Sequence, residues 1–299
     1  MKNDDGARDS ATPVAPAGGG RPVRPQTVLE VVRTERLTAH MVRVVLGGEG
    51  FAEFHERWAA KEATDQYVKL LFADPSLGLE PPYDMDALLE RLAPEQMPVR
   101  RTYTVRAVDE AAGTVAVDFV VHGDEGLAGP WAAQAQPGEK VAFMGPGGAY
   151  RPDAEADWHV LAGDEAALPA IAAALEDMAQ RLPDARGVAL IEVAGAQDEQ
   201  AVSAPAGVQV RWLHRGGEFT PESARWVAEL EALEFGEGQV QAFVHGEREQ
   251  VKAARRHLTD VRGLDRKQMS VSAYWAHGRA EETFQAEKRE PIGKIFDDA

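Results

Sequence analysis

The residues with the clearest chemical potential form the segment RRTYTVR at positions 100–106. An arginine can donate two hydrogen bonds to a phosphate, a tyrosine can lie against a flat ring, and a threonine hydroxyl can bond a ring nitrogen. On a strand, Arg101 and Tyr103 share one face, whereas Thr102 and Thr104 share the other. The segment therefore suits a phosphate-bearing aromatic ligand, and it equally suits a solvated strand with basic flanks.

A second group of candidate residues lies in the sequence DFVVHGDEGLAGPWAAQ at positions 118–134. It ends a predicted strand, passes through a glycine-containing loop and can then open a short helix. Backbone N–H groups in such a turn can bind an anion such as a pyrophosphate. Glycine turns before helices are common, so this segment becomes informative only beside the one at 100–106.

A third group follows a short apolar run, in the sequence GDEAALP at positions 163–169. A strand that turns into a helix here matches the place where a doubly wound sheet binds a nucleotide, at the carboxyl ends of its strands. Pro169 suits the first turn of that helix. Gly246 and Glu247 end a later predicted strand and can line the same crevice. The pattern also fits a strand-to-helix turn in any α/β protein.

Two kinds of predicted secondary structure carry these segments. In the first half, four β-rich stretches alternate apolar and polar residues, which predicts antiparallel strands of a barrel or closed sheet. These stretches are residues 28–46, 67–72, 102–108 and 114–122. After Gly148, short apolar runs alternate with helical patterns, which predicts a parallel sheet with helices on both faces.

We expect four regions along the chain. Residues 1–25 are rich in Gly, Pro, Ala and charge and are predicted to form a disordered tail. A β-barrel domain is expected at 26–150 and an α/β domain at 155–278. The extension at 279–299 is either a helix packed over the crevice or a tail, and the tail is the favoured interpretation. Within the barrel, the proline-containing stretch 73–99 is predicted to be an insertion with a short helix near its middle.

Composition excludes several classes of function. The net charge of −17 repels nucleic acid phosphates and anionic lipid, so neither is an expected partner. The chain contains no cysteine, which excludes disulfides, thiolate metal sites and cysteine nucleophiles. The histidines are scattered without a metal-ligating pattern, so we expect no metal site. No apolar run is long enough to span a membrane and no signal peptide is recognisable, so a cytoplasmic protein is predicted.

Taken in order, these segments resemble the siderophore-interacting proteins, flavin-dependent ferric-siderophore reductases of the ferredoxin-reductase-like superfamily. The resemblance extends from about residue 27 to residue 278 and includes RRTYTVR, DFVVHGDEG, PGEKVAFMGPGG, LAGDEAALPAI and YWAHG. It implies a six-stranded antiparallel flavin-binding β-barrel followed by a parallel-sheet nucleotide-binding domain. It also implies FAD as the cofactor, NAD(P)H as the electron donor and a ferric siderophore as the substrate.

The resemblance assigns roles to individual residues. Arg101 is implied at the FAD phosphates, Tyr103 against the flavin and Thr104 near its ring, which makes Tyr103 and Thr104 the candidate catalytic residues. The residues implied to line the flavin and its pyrophosphate are Asp118, Val120, Val121, His122, Gly126, Ala128 and Trp131. Those implied around the nicotinamide nucleotide and the flavin's other side are Gly163, Asp164, Glu165, Ala166, Gly246, Glu247, Tyr274 and Trp275.

Three positions depart from the family pattern, and one pair of residues has a second interpretation. Leu127 and Gly129 stand where the family has proline and serine before its tryptophan, so a serine contact to phosphate is lost. Ala166 stands where the family has threonine, which removes a hydroxyl contact to the nucleotide. The aromatic pair at 274–275 suits a hydrophobic core as well as a site.

The features together predict a reductase that passes electrons from NAD(P)H through FAD to a ferric siderophore and releases Fe(II). Flavin fits because it accepts two electrons and releases them singly. The choice between NADH and NADPH stays open, because Arg211, His214 and Arg215 can receive the extra phosphate of NADPH while Asp198 and Glu199 oppose it.

Other interpretations remain. Lys69, Arg100 and Arg106 are candidates for attracting an anionic siderophore, although each can instead pair with one of the many acids. The flavin and nucleotide motifs do not encode the acceptor, so a flavin reductase with another acceptor, or one with a ferredoxin as its partner, is an alternative. A non-catalytic flavin- or siderophore-binding module is another, and Ala166 favours it slightly.

Overall fold

The computed structural model of the protein describes residues 25–121 and 126–296. The predicted tail lies outside these residues apart from Pro25, and so does the candidate site residue His122. The first half contains six strands and three short helices. The strands are β1 Gln26–Thr38, β2 Met41–Gly47, β3 Tyr67–Phe72, β4 Val99–Asp109, β5 Thr114–Val120 and β6 Lys140–Gly147. The helices are α1 Phe51–Ala59, α2 Met85–Leu89 and α3 Ala128–Gln134.

The six strands form a closed antiparallel barrel in the order β1-β2-β5-β4-β3-β6, which confirms the predicted barrel. Their inward positions carry the apolar residues of the alternating pattern, and Val117, Phe119 and Phe143 are fully buried. Phe54 of α1 packs edge-on against Phe143, with ring centroids 5.4 Å apart. Helix α1 was not predicted, although its buried Phe54 completes the core of the barrel.

The second half is a five-stranded parallel sheet, again as predicted. Its strands are β7 Trp158–Gly163, β8 Arg186–Val193, β9 Gly207–His214, β10 Val240–Glu247 and β11 Met269–Trp275. Their order is β11-β10-β7-β8-β9, with β7 at the centre. The helices that follow the strands are α4 Leu168–Arg181, α5 Trp226–Ala232 and α6 Arg248–Arg256. Alternate strand residues feed two cores, so Leu161 packs with α4 on one face and Val160 packs with α5 and α6 on the other.

The two halves are joined by apolar and ionic contacts. Met41 of β2 lies in the same buried cluster as Ile171 of α4. Arg106 of β4 donates two hydrogen bonds to the carboxylate of Glu176 in α4, at 2.8 and 2.5 Å. These contacts place strand β4 of the barrel against the sheet domain.

The C-terminal extension is a docked helix, α7 Glu281–Glu287, so the favoured interpretation as a tail is wrong. Phe284 is 1% exposed and packs with Ala273 and Ala276, which lie near the end of the last strand of the sheet and in the loop after it. Arg248 and Arg279 both bind the carboxylate of Glu287. The extension therefore covers part of the sheet edge, because one buried aromatic and the ion pair between Arg248 and Glu287 attach it there.

The insertion at 73–99 is also ordered, and its short helix is α2. Asp84 caps this helix, since its carboxylate accepts a hydrogen bond from the backbone N–H of Ala87 at 3.0 Å. The side chain of Gln26 forms two hydrogen bonds with the backbone of Tyr83, which tie the insertion to β1. No helix in the described part of the chain has the length and apolar character needed to cross a membrane.

Candidate functional site

The predicted flavin segment lies on β4 and presents its side chains to two different surroundings. The ring of Tyr103 packs 4.3 Å from that of Phe119 on the barrel side. Thr104 is 6% exposed and faces the second half, where its side chain lies close enough to the Tyr274 hydroxyl to lower the pKa of that group against the larger effect of burial. The predicted alternation of faces along this strand is therefore confirmed. It brings a hydroxyl from the barrel directly against the end of β11.

Arg101 binds a carboxylate from the C-terminal helix. Its guanidinium lies 2.6 Å from Glu282, which is itself largely exposed. Burial is the largest single effect and opposes ionisation of Glu282, but the hydrogen bond from Arg101, the carboxyl's own backbone N–H and the Arg101 charge together lower its pKa. Burial, and then the nearby charge of Glu281, raise the pKa of the Tyr103 hydroxyl. The Arg101 guanidinium thus already has an anionic oxygen as its partner, and a phosphate oxygen has the chemistry to take that place.

The predicted pyrophosphate turn is described only from Gly126 onward. Gly126 has a φ of +79°, a conformation that favours glycine. Ala128 is buried, and Trp131 of α3 packs edge-on against Phe72 with centroids 5.3 Å apart. The side chains of this helix therefore face the barrel core. Its exposed groups for a cofactor are those of the backbone turn that precedes it.

Three of the residues predicted to line the flavin have structural partners. Both oxygens of the buried Asp118 carboxylate accept hydrogen bonds from Arg43 on the neighbouring strand, at 2.6 and 2.8 Å. Val120 packs in the cluster beneath α4. The buried Val121 donates its backbone N–H to the carbonyl of His40 at 2.9 Å. Cofactor contacts by these three residues remain predictions.

The carboxyl edge of the parallel sheet brings together most of the second predicted group. Gly163 ends β7 so close to β10 that a Cβ there would lie 2.2 Å from the carbonyl oxygen of His245. Asp164 follows it and is 1% exposed. Its carboxylate accepts hydrogen bonds from the backbone of Ala166 and Glu247 and from the indole of Trp275. Burial, and then the neighbouring Glu165 charge, raise the pKa of Asp164 to about 7, although these donors favour its ionised form.

A buried ionic group stands beside Asp164. The guanidinium of Arg215 donates to both oxygens of Glu165, at 2.8 and 2.5 Å, and lies 3.8 Å from Glu192. Glu192 also accepts hydrogen bonds from the backbone N–H groups that open α5, at Arg225 and Trp226. Sequence reasoning missed Glu192, although a lone acid inside the apolar run VALIEV was a usable signal.

These pairings determine which of the residues predicted around the NADPH phosphate are available to it. Arg215 is only 2% exposed and committed to Glu165, so its proposed availability for that phosphate is wrong in this structure. His214 pairs with Glu199 at 2.8 Å. Asp198 is buried and lies 2.9 Å from the imidazole of His40, so its charge does not face the crevice as expected.

The ends of β10 and β11 form the rest of the predicted crevice, at the carboxyl edge of the parallel sheet. Glu247 caps α6 through one carboxylate oxygen and accepts the backbone N–H of His277 through the other. Burial raises the pKa of the Tyr274 hydroxyl, and the ring of Tyr274 meets that of His245 edge-on at 4.9 Å. Trp275 is partly exposed and contacts the ring of Phe219 at 4.8 Å. The Tyr274 hydroxyl therefore lies at the contact between the halves, whereas the Trp275 indole binds Asp164 at the carboxyl edge of the sheet.

The basic residues suggested for attracting a siderophore differ in their surroundings. Arg106 is paired with Glu176 and largely buried, so the suggestion that it attracts an anionic substrate is wrong. Arg100 is exposed on β4, and Lys69 lies on β3 near Lys288. Within residues 25–121 and 126–296 there is no group of three His, Asp or Glu side chains that could hold a metal ion.

The architecture first defines a class. The fold is similar to that of a ferredoxin NADP⁺ reductase from Neisseria gonorrhoeae solved with bound FAD and NADP, with a TM-score of 0.57 at 12% identity. That match covers 83% of this chain and 98% of the other. At this identity the likeness shows the fold alone, a barrel followed by a parallel sheet as in the ferredoxin reductases.

Closer comparisons define the family. The model for a siderophore-interacting FAD-binding domain matches residues 30–150, and the model for the siderophore-interacting protein matches residues 156–278. The siderophore-interacting protein SipS from Aeromonas hydrophila has a TM-score of 0.74 and 30% identity, covering 91% of this chain and 100% of that one. The chain therefore belongs to the siderophore-interacting protein family, which confirms the resemblance seen in the sequence.

Three curated relatives extend the comparison. A Mycobacterium tuberculosis protein is 47% identical over 89% of this chain and 96% of its own length. The ferric vibriobactin reductase ViuB of Vibrio cholerae is 33% identical over 90% of this chain and 96% of its own length. The NADPH-dependent ferric-chelate reductase of Escherichia coli is 28% identical over 83% of this chain and 91% of its own length.

Proposed function

We propose that this protein is an FAD-dependent reductase that passes electrons from NAD(P)H to a ferric siderophore and thereby releases Fe(II). The observation that carries the proposal is the contact between Thr104 and Tyr274. It joins the barrel segment that suits a flavin to the sheet edge where nucleotides bind in this kind of fold. A ring bound along β4 would therefore lie beside a nucleotide in the crevice.

The residues of β4 fit FAD in their chemistry. Arg101 binds an anionic oxygen, Tyr103 offers a flat ring, and Thr104 offers a hydroxyl that lies beside that of Tyr274. We propose that these three residues bind the phosphate, the flavin and a flavin ring atom, respectively. The backbone turn at Gly126 is proposed to bind the pyrophosphate, because an open glycine turn lets an anion approach the main chain.

The electron donor is proposed to lie at the carboxyl edge of the sheet, against Gly163, Ala166 and Gly246. Bound FAD would accept two electrons as hydride and pass them on singly, which matches a two-electron donor to ferric iron. The E. coli relative is named as NADPH-dependent. In this chain Arg215 and His214 are both paired with carboxylates, so the NADPH phosphate gains no support there and either nucleotide is a candidate donor.

The substrate is proposed from the relatives' names and from the chemistry of iron. Hard oxygen donors hold ferric iron far more tightly than ferrous iron, so reduction loosens the complex without a metal site on the protein. We propose that the positive charges of Lys69 and Arg100 attract an anionic chelate to an otherwise acidic surface. The cytoplasmic location and the four domain boundaries predicted from the sequence stay predictions.

The test is anaerobic stopped-flow spectroscopy on the purified, FAD-loaded protein. NADH and NADPH are mixed separately, and loss of the oxidised flavin absorbance reports hydride transfer. The reduced protein is then mixed with hydroxamate, catecholate and carboxylate chelates of Fe(III). The same ligands loaded with Ga(III), which is not reduced, serve as the control, and a ferrous-specific dye detects the product.

The proposal expects bleaching by a nucleotide, followed by reoxidation with the iron chelates and none with gallium. A colourless protein that binds no FAD would refute it and favour a non-catalytic module. A bleached flavin that reoxidises with a ferredoxin but with no ferric chelate would refute the proposed acceptor.

Matched variants test the contact that carries the proposal. Thr104→Val removes the hydroxyl that lies beside Tyr274, and we expect flavin reduction to slow by about tenfold because the proposed hydrogen bond to the flavin ring is lost. Thr102→Val changes the same residue type at an exposed position of the same strand and should leave the rate unchanged.

A further inference from the structure

The carboxylate of Asp164 joins three elements at the carboxyl edge of the sheet. Its Oδ1 accepts a hydrogen bond from the backbone N–H of Ala166 at 3.0 Å. Its Oδ2 accepts one from the backbone N–H of Glu247 and one from the indole Nε1–H of Trp275, both at 2.8 Å. The turn after β7 thus carries one side chain that bonds the ends of β10 and β11 as well as its own helix entry.

The surroundings of Asp164 argue against a direct contact with a nucleotide. The side chain is 1% exposed, and both oxygens already face N–H donors. A Cβ on Gly246 would lie 2.6 Å from Oδ2, so even a methyl group has no room on that side. Asp164 therefore lies behind the wall of the crevice rather than on its surface.

Trp275 forms the part of this wall that Asp164 holds. Its ring is partly exposed and contacts Phe219 in the loop after β9 at a centroid distance of 4.8 Å and an interplanar angle of 76°. It follows Tyr274, whose hydroxyl lies beside Thr104 of the predicted flavin segment. The indole therefore lies within one residue of the contact between the barrel and the sheet.

We propose that Asp164 is a positioning residue that orients the indole of Trp275 at the nicotinamide end of the crevice and acts on nucleotide binding through that ring. This inference rests on the proposed function. A flat ring fixed at one edge presents a stacking surface in a single orientation. The hydrogen bond from Nε1 supplies that constraint, and the ring contact with Phe219 supplies the second point of support.

Asp164→Asn is the primary variant, measured on the FAD-loaded protein at one fixed pH. Asparagine keeps an acceptor oxygen on one side and turns an NH₂ donor towards the N–H groups on the other side, so at least one of the three N–H groups loses its acceptor. We expect KM for the nucleotide to rise about tenfold, with the rate at saturating nucleotide changed by less than about threefold. FAD binding should be unchanged.

Trp275→Phe tests the same link from the other side, because it keeps a ring and removes the indole N–H. It should raise KM by a similar factor, and adding Asp164→Asn to it should raise KM by no more than about twofold further. Asp157→Asn is the matched control at the opposite end of β7. Its carboxylate also accepts a backbone hydrogen bond, from Gln239 at 2.8 Å, and its replacement should leave KM unchanged.

A spectroscopic readout separates positioning from general loss of structure. The chain has six tryptophans, so ¹⁵N-labelled protein gives a small set of indole N–H signals, and Trp275→Phe identifies the one from Trp275. Asp164→Asn should shift that signal and leave the other indole signals in place. Asp157→Asn should leave it where it is.

Three results would overturn the inference. They are an unchanged KM in Asp164→Asn, an unshifted Trp275 indole signal, or fully independent effects of the two changes in the double variant. If Asp164→Asn does not fold, an unchanged KM in Trp275→Phe overturns it. If neither nucleotide reduces the wild-type flavin, the proposed function fails instead, and the indole signal still decides whether Asp164 orients Trp275.

Discussion

Phe284 anchors the C-terminal helix, and replacing it with alanine should release that helix from the sheet. The side chain is 1% exposed and packs against Ala273, Ala276 and Ile295. Removing a buried phenylalanine side chain costs about 3–5 kcal/mol, and the small cluster here places the cost near the lower end, at about 3 kcal/mol. We expect α7 to open while the sheet stays folded. The substitution therefore lowers the free energy of this local opening, which corresponds to roughly hundredfold faster amide exchange in α7.

Native-state hydrogen exchange with mass spectrometry measures this effect directly on the peptide that covers α7. Ile292→Ala is the control, because this residue lies in the same extension but is 43% exposed, and it should change exchange by less than about threefold. Peptides from β7 and β10 should be unaffected. Equal exchange of α7 in Phe284→Ala and the wild type would refute the anchoring role. Faster exchange throughout the chain would show that α7 does not open separately.

Three further outcomes are expected. In a double-mutant cycle, Arg106→Ala and Glu176→Gln should couple by about 1–2 kcal/mol in the free energy of unfolding, because their partly buried pair joins the two halves. Burial lowers the pKa of His245 from 6.5 to about 3, so its contribution to stability is fully present above pH 6.5 and is lost as the pH falls towards 3. When the pH is lowered from 6.5 to about 4, the free energy of unfolding of His245→Gln should therefore fall by about 3 kcal/mol less than that of the wild type. Gly246→Ala should destabilise the fold by about 1–3 kcal/mol in urea unfolding, because φ is +142° and Cβ would crowd Asp164.

Each of these expectations has a contradicting result. Additive effects in the cycle would show that Arg106 and Glu176 do not interact in solution. Parallel pH profiles for His245→Gln and the wild type would show that this imidazole is protonated in the folded protein. A Gly246→Ala variant as stable as the wild type would mean that the turn after β10 can relax.

The order of elements could be predicted because it rests on local patterns. Alternating apolar residues in β3 and β5 specify strands with one buried face, and the apolar runs of β7 and β8 specify strands buried on both. Helix α1 was missed, although Phe51, Phe54 and Trp58 recur at helical spacing and pack on the core of the barrel. The docked helix of the extension was one of two alternatives but was not the favoured one, because its buried residue, Phe284, stands among charged residues.

The candidate site could be predicted in its membership better than in its contacts. The strand-end positions of Gly163, Asp164 and Glu247 followed from the rule that nucleotides bind at the carboxyl ends of parallel strands. That rule gives no partner for a side chain. It could not show that the indole of Trp275 binds Asp164 whereas the hydroxyl of Tyr274 lies beside Thr104.

The sequence by itself determined the two halves, their order and the family, because periodicity and motif order are properties of neighbouring residues. Only the tertiary structure decided what each charged side chain binds. Arg106 and Glu176 are 70 residues apart in the chain, and Arg101 pairs with Glu282 across an even longer separation. The electrostatic energy of a pair depends on distance in space and on burial, and neither is encoded in sequence spacing. The residues of β4 therefore became a joint between the halves and a partner for α7 only in the folded chain.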